Sequence, residues 1–168
     1  MRILMVMPMP WDRQLGGARI HVELAEEMQA LGHTVERFTI EEAFGQADGG
    51  RRLRSRLLAF PARAASYVRR HPGRWDVIDA MEGDLPYRKT HLRHEGLLVC
   101  RSLGARVAYR DFTLSARLRW PDEGRGRRSL RPLREWEAQR LVELADRAAR
   151  AADPVSYTHL TLPTTPYV

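Results

Sequence analysis

An α/β fold with a doubly wound, mostly parallel Rossmann-like sheet is predicted by three features of the chain. Short apolar runs recur without alternation, as in Ile3 to Met7 and in "GLLVCRS" from Gly96 to Ser102, which is the pattern of strands buried on both faces. Between the runs lie stretches with apolar residues three and four positions apart, the pattern of helices that cover a sheet. The two patterns alternate with no internal repeat, as β-α-β units require.

The elements follow in order. Ile3 to Met7 is the first strand, and Pro8 to Gly17 a long loop. Ile20, Leu24, Met28 and Leu31 then share one face of a helix from Ala18 to Leu31, and Gly32 stands where a C-cap glycine belongs. His33 to Ile40 resumes as strand, completing a β-α-β unit whose crossover should be right-handed. Glu42 to Gly50 reads as a polar connector, and Arg51 to about Arg70 as a basic helix that Pro61 kinks or divides. Trp75 to Met81 is a third strand and Gly96 to Ser102 a fourth, while Ala105 to Phe112 reads as strand or irregular chain. Pro121 to Ser129 is an Arg/Gly-rich loop. Leu130, Leu133, Trp136, Leu141, Leu144 and Ala148 trace a long amphipathic helix ending near Asp153.

Composition narrows the class. The 168 residues suit one domain with a real core, and 43% hydrophobic with 29% charged residues is the balance of a globular protein. Of the 28 basic residues behind the net charge of +7, only Lys89 is lysine. So strong an arginine bias reflects coding composition more than function, and no nucleic-acid partner is expected. The single cysteine, Cys100, has no partner for an internal disulfide, which fits a cytoplasmic protein. The opening "MRILMVMPMP" is too short for a signal peptide, and no membrane span is expected.

The stretch "QLGGARIHVELA" carries the first functional signal. In an open α/β sheet, ligands bind beyond the carboxyl ends of the strands, where the loop after the first strand meets the first helix. Unpaired N–H groups and the positive end of the helix dipole make that corner an anion site, and glycine admits a phosphate closely. Gly16 and Gly17 lie there. The structural alternative is a tight entry turn that needs glycine for its own geometry.

The segment "MRILMVMPMPWDRQLGGARIHVELAEEMQALGHTVERFTI" resembles the opening of the N-terminal domain of GT-B-fold glycosyltransferases of the large retaining family 4. The positions that carry the likeness are Gly16, Gly17, His21, Leu24, Ala25, Met28, Gly32, His33 and Val35. "DVIDAMEGDLPY" and "LLVCRSLG" resemble later landmarks, so the likeness covers most of residues 1–153. It implies an acceptor-side Rossmann-like domain, residues 1–153, of a bacterial, cytoplasmic hexosyltransferase of carbohydrate biosynthesis. Such an enzyme moves sugar from a nucleotide-sugar donor to a glycan, lipid-linked or small-molecule acceptor with retention, and usually without a metal or other cofactor. Gly16 and Gly17 inherit contact with the donor diphosphate. The donor-binding basic pair and paired glutamates of the family lie in a second domain that this chain does not reach, so the chain alone is expected to be inactive and its catalytic residues are not assigned. The family also places a histidine near Met81 or Leu103 in some members, and this chain has none at either.

Further candidates each have two readings. His21, one turn into the helix, either touches donor or acceptor or covers packing. Glu82 and Asp84 follow the third strand and either hydrogen-bond sugar hydroxyls or act as a base, or else shape a solvated turn before Pro86. Arg101 and Ser102 end the fourth strand and either contact acceptor or bond within the fold. His91 and His94 have no third ligand nearby, so no metal site is expected. In Arg51 to His71, arginines interleave with Leu53, Leu57, Leu58, Phe60, Tyr67 and Val68, which suits either a peripheral helix on the inner face of the membrane or a solvated helix covering the sheet.

Rival functions leave weaker marks. No G-x-G-x-x-G follows the first strand, against a dinucleotide oxidoreductase, and no G-x-x-x-x-G-K-[ST] occurs, against a nucleotide hydrolase. The alternative that stands is a non-catalytic α/β binding or partner-docking module. Val155 to Val168 carries no Lys, Arg, Asp or Glu, and its run "VSYTHLTLPT" closely resembles the in-frame translation of a common sequencing adapter. A native reading would make it a β-prone terminal strand or a disordered tail; residues 154–168 are instead expected to be a non-native tail on a truncated chain, making few contacts with the sheet.

Overall fold

In a computed structural model of the chain, residues 1–45, 53–102, 106–119, 131–153 and 155–157 are described. The apolar runs become strands β1 (Arg2–Val6), β2 (Thr34–Phe38), β3 (Val77–Met81) and β4 (Leu97–Ser102), and a fifth, β5 (Val155–Tyr157), follows late in the chain. They lie in the order β2-β1-β3-β4-β5, with every neighbouring pair parallel. The chain runs from β1 outward to β2, then returns to β1's other side as β3. The strand order thus reverses between β1 and β3, the place where open sheets of this kind bind ligands.

The helices divide between the two faces. Leu4, Val6, Phe38, Ile78, Ala80 and Leu98 point to one face, where α3 (Leu53–Arg69) buries Phe60, Ala64, Ala65 and Val68 against them. Ile3 and Met5 point to the other, beneath α1 (Gly16–Ala30), with Ala25 buried and Leu24 and Met28 half-buried over them. Each of the larger buried side chains stabilises the fold by about 1.5–3 kcal/mol.

The α1 face differs from the expected stripe. Its buried residues are Ala18, His21, Val22 and Ala25; Leu24 and Met28 flank them, Ile20 is half-buried, and Leu31 is 76% exposed. Small side chains at 18 and 25 bring the backbone close to the sheet, and Leu31 has already left the helix. Gly32 ends it as expected: at φ 84° it lets Gly32 N–H donate to Gln29 and His33 N–H to Met28, the Schellman pattern.

Three further boundaries are corrected. The second strand stops at Phe38, because Thr39 caps a short helix α2 (Ile40–Phe44) where connector was expected. Its side chain accepts from Glu41 N–H, and the Glu42 carboxylate accepts from Thr39 N–H at 2.7 Å; "TIEE" is a capping box. Pro61 does not divide α3, which continues as one element with Pro61 on its buried side. Residues expected to be strand or irregular within Ala105 to Phe112 belong to α5 (Arg106–Arg119), since a parallel return to the next strand needs a crossover element and "TLSARLR" favours helix.

After the one-turn α4 (Lys89–Leu92), Gly96 enters β4, and a Cβ there would lie 2.2 Å from the Asp76 carbonyl oxygen. The last helix, α6 (Arg131–Ala151), reaches the core only through its C-terminal half: Leu144, Ala145 and Ala148 are buried, whereas Leu133 and Trp136 are 52% and 58% exposed. Leu130 and the loop Pro121 to Ser129 lie outside the described residues. Asp153 fastens the helix end to β4: its N–H donates to the Leu98 carbonyl at 2.8 Å, its carboxylate accepts from Leu98 N–H at 2.9 Å, and it pairs with Lys89 at 2.9 Å. The expectation that the tail stays clear of the sheet is corrected over Val155–Tyr157, which pair with Cys100–Ser102. An uncovered β4 would offer free N–H and C=O groups, and the β-prone "VSY" satisfies them.

Candidate functional site

The site lies at the carboxyl edge of the sheet, where β1 and β3 diverge. The loop leaving β1 turns on Asp12, whose side chain accepts from Gln14 N–H at 2.8 Å and whose carbonyl accepts from Leu15 N–H at 3.2 Å. An aspartate therefore makes the turn, as Asx turns do. Gly16 and Gly17 open α1 itself, and neither has positive φ. A Cβ on Gly16 meets no atom within 4 Å. The entry-turn explanation thus finds no conformation that requires these two glycines.

The helix start is left open to an anion. The first intrahelical bond runs from Arg19 N–H to the Leu15 carbonyl, so the N–H groups of Gly16, Gly17 and Ala18 precede it. Leu15 occupies the N-cap with no side-chain bond, and the first turn contains no acidic residue. Uncapped donors and the positive end of a 15-residue helix face the sheet edge.

Behind that turn lies a polar cluster. His21 is fully buried; its Nδ1–H donates to the Gly17 carbonyl at 3.2 Å, and its Nε2 has no hydrogen-bond partner. Burial pushes the imidazole below the ordinary histidine range; the Gly17 bond and Asp79 oppose that shift, and Arg101 adds to it. On the strands beneath, Arg101 Nε lies 3.1 and 3.0 Å from the two Asp79 carboxylate oxygens, and one terminal nitrogen lies 2.5 Å from Oδ2. The pair is buried, with 3% of the Asp79 and 13% of the Arg101 side chain exposed.

The remaining candidates split by location. Ser102 Oγ donates to Glu82 at 2.5 Å, and Glu82 N–H donates to the Arg101 carbonyl at 2.8 Å, so these two close the ends of β3 and β4. Asp84 is 4% exposed and faces the α3 and α6 side, lining a cavity of about 20 Å³ with Pro8, Leu57, Pro61, Leu141 and Leu144. That is room for about one water. The fold therefore gathers Gly16, Gly17, His21 and Arg101 around α1, and sets Asp84 apart.

Asp79 is the residue the sequence reading missed. Its signal was present: an aspartate inside "DVIDAM" and an arginine inside "LLVCRS" place opposite charges in two strands expected to be buried, and buried charges pair. His94 lies elsewhere, just before β4, with its Nε2 3.2 Å from the Leu97 carbonyl, and no group of three potential metal ligands occurs among the described residues. Arg51 and Arg52 lie outside the described residues. Further along, Phe60 and Val68 are buried against the sheet, Arg69 and Arg70 are exposed, and Arg63 reaches the Ala43 carbonyl at 3.0 Å while stacking on Phe44. No helix among the described residues is long and apolar enough to cross a membrane. Comparison with protein-family models, with characterised proteins and with solved structures returns no match.

Proposed function

We propose that this chain is the N-terminal, acceptor-side half of a GT-B retaining glycosyltransferase, which moves a hexosyl group from a nucleotide-sugar donor to a glycan, lipid-linked or small-molecule acceptor. One observation carries this reading. Two glycines begin an uncapped helix at the β1/β3 reversal although neither has positive φ, and the position of a Gly16 side chain is empty space. A residue chosen for smallness where the chain itself leaves room is a residue chosen for a ligand. Glycosyl transfer develops negative charge on the departing nucleoside diphosphate, and fixed backbone N–H groups stabilise it without a metal. A second domain, beyond residue 153, would hold the nucleotide. The exposed Arg69, which ends α3, and Arg70 after it would suit a lipid-linked acceptor at the inner face of the membrane.

The test is Gly16→Val in the intact gene product, since a Cβ at that position meets open space. Transfer should fall more than about ten-fold, or roughly 1.4 kcal/mol of transition-state stabilisation, with the melting temperature little changed. A folded variant that transfers sugar at the parent rate would refute the reading. A partner-docking module is the second reading, favoured by Phe112, Leu133 and Trp136, all more than half exposed on α5 and α6. It predicts that Trp136→Ser abolishes partner capture and leaves nucleotide-sugar chemistry untouched.

A further inference from the structure

We propose that binding of an anion at the first turn of α1 is coupled to uptake of one proton by His21. The inference rests on the anion-site reading of Gly16 and Gly17 and adds its regulation. Two independent observations meet at this turn. The N–H groups of Gly16, Gly17 and Ala18 are uncapped by any side chain. Against the same turn, hooked to the Gly17 carbonyl through Nδ1, stands a fully buried imidazole whose Nε2 has no partner.

The tautomer follows from the bond. A carbonyl only accepts, so Nδ1 carries the proton and Nε2 bears a bare lone pair. A buried acceptor left unpaired costs about 1–3 kcal/mol, a penalty that persists only where something else requires the group. Among the described residues, the charged groups facing the ring are Asp79 on β3 and Arg101 on β4, and their charges nearly offset each other because they are paired. The imidazole is thus balanced: burial disfavours its cation, and no net charge beneath it decides the matter.

A bound anion shifts that balance. A phosphate or sulfate on the first-turn amides brings negative charge to within one helical turn of the ring. The favoured response is uptake of a proton from the hydronium and buffer acid of the solvent by Nε2, giving an imidazolium whose charge both Asp79 and the bound anion favour. The Nδ1–H bond to Gly17 is kept. That bond also holds the carbonyl of the Gly17–Ala18 peptide, and a polarised peptide donates more strongly from its own N–H, which is Ala18. Proton and anion therefore stabilise each other's binding, and the coupling is reciprocal.

Inorganic sulfate is the cleanest probe, because it keeps its charge throughout the relevant pH range. The histidine rings of the chain are titrated by NMR in sodium sulfate and in sodium chloride at equal ionic strength, with backbone amides followed in parallel. Saturable shifts should appear at Gly16, Gly17 and Ala18, and the His21 midpoint should rise by about one pH unit in sulfate, which by linkage means sulfate binding about ten-fold tighter below the transition than above it. His94, buried at the other end of β4, should not move. His21→Gln, which retains an N–H for the Gly17 carbonyl but takes up no proton, should bind sulfate with an affinity independent of pH. Saturable amide shifts with an unmoved His21 midpoint would overturn the coupling and leave the anion site standing. Absence of those amide shifts would overturn the anion site and the coupling with it.

Discussion

The two faces of the sheet are built on different principles. Beneath α3 and α2 the contacts are large and apolar: Phe38 stacks on Tyr67 at 4.6 Å, Phe60 is fully buried, and Tyr67 packs on Trp75 at 5.5 Å. On the other face, α1 buries Ala18, Val22 and Ala25 with a histidine, over Ile3, Met5 and an aspartate–arginine pair. Apolar area is worth about 25 cal/mol per Å² whatever its arrangement, so the first face supplies stability with little demand on geometry. The second gains less area and holds polar groups that must be matched one to one. A fold can place a binding corner only where the rest of the molecule does not depend on that corner for its core.

Breaking each face in turn should show the difference. Phe60→Ala removes a fully buried aromatic and is expected to lower stability by about 3–5 kcal/mol, read by chemical denaturation, without changing the affinity for sulfate at α1. Asp79→Ala strands the Arg101 guanidinium and should lose a comparable 3–5 kcal/mol. Here the double variant Asp79→Leu with Arg101→Leu is diagnostic: it should recover most of the loss, since only the unpaired charge is expensive. A double variant as unstable as Asp79→Ala would mean that the pair is net stabilising.

A smaller effect comes from glycines that look alike in the sequence. Gly96→Ala sets a Cβ 2.2 Å from the Asp76 carbonyl, which must move, so a loss of about 1–3 kcal/mol is expected. Gly16→Ala meets open space at an ordinary φ, and should raise thermal stability by about 0.4–1 kcal/mol by restricting the unfolded chain. If the two substitutions changed the melting temperature equally, the distinction between a glycine held by packing and one facing open space would collapse.

Acid separates the faces more gently. The folded-state pKa of His21 lies below the ordinary 6.5 because burial disfavours the cation, and that of His94 does so for the same reason. For a histidine held neutral, stability is fully present above the unfolded value and declines as pH falls from about 6.5 toward the folded pKa. His21→Gln should flatten part of that slope in thermal melts between pH 7.5 and 5.5. Asp76 acts in a lower window: the hydrogen bond from Arg2 holds its carboxyl down to about 2, so its contribution is present above 3.8 and lost as pH falls toward 2. A stability profile flat down to pH 5 would contradict the burial of both histidines.

The alternation of apolar runs and helical spacings was enough to determine the α/β class, and β1, β3 and β4 were legible as near-continuous apolar runs because interior strands of a parallel sheet are buried on both faces, whereas the edge strand β2 reads TVERF. Gly32 was equally legible, since a helix stop at positive φ is written in one residue. The corner was half legible: Gly16, Gly17 and His21 were visible as a local motif, whereas Asp79 and Arg101 are 22 residues apart and become one object only when β3 and β4 pair. The packed face of α1 was decided by the tertiary structure, which favours Ala18 and Ala25 over Ile20 and Leu31 because close approach to a sheet selects small side chains. The capping box at Thr39 stood in the sequence, yet the β-prone run around it concealed the helix. The three-residue strand Val155–Tyr157 was marked in the sequence only as a β-prone run; an open β4 edge decides it, because unpaired backbone groups take an extended segment within reach.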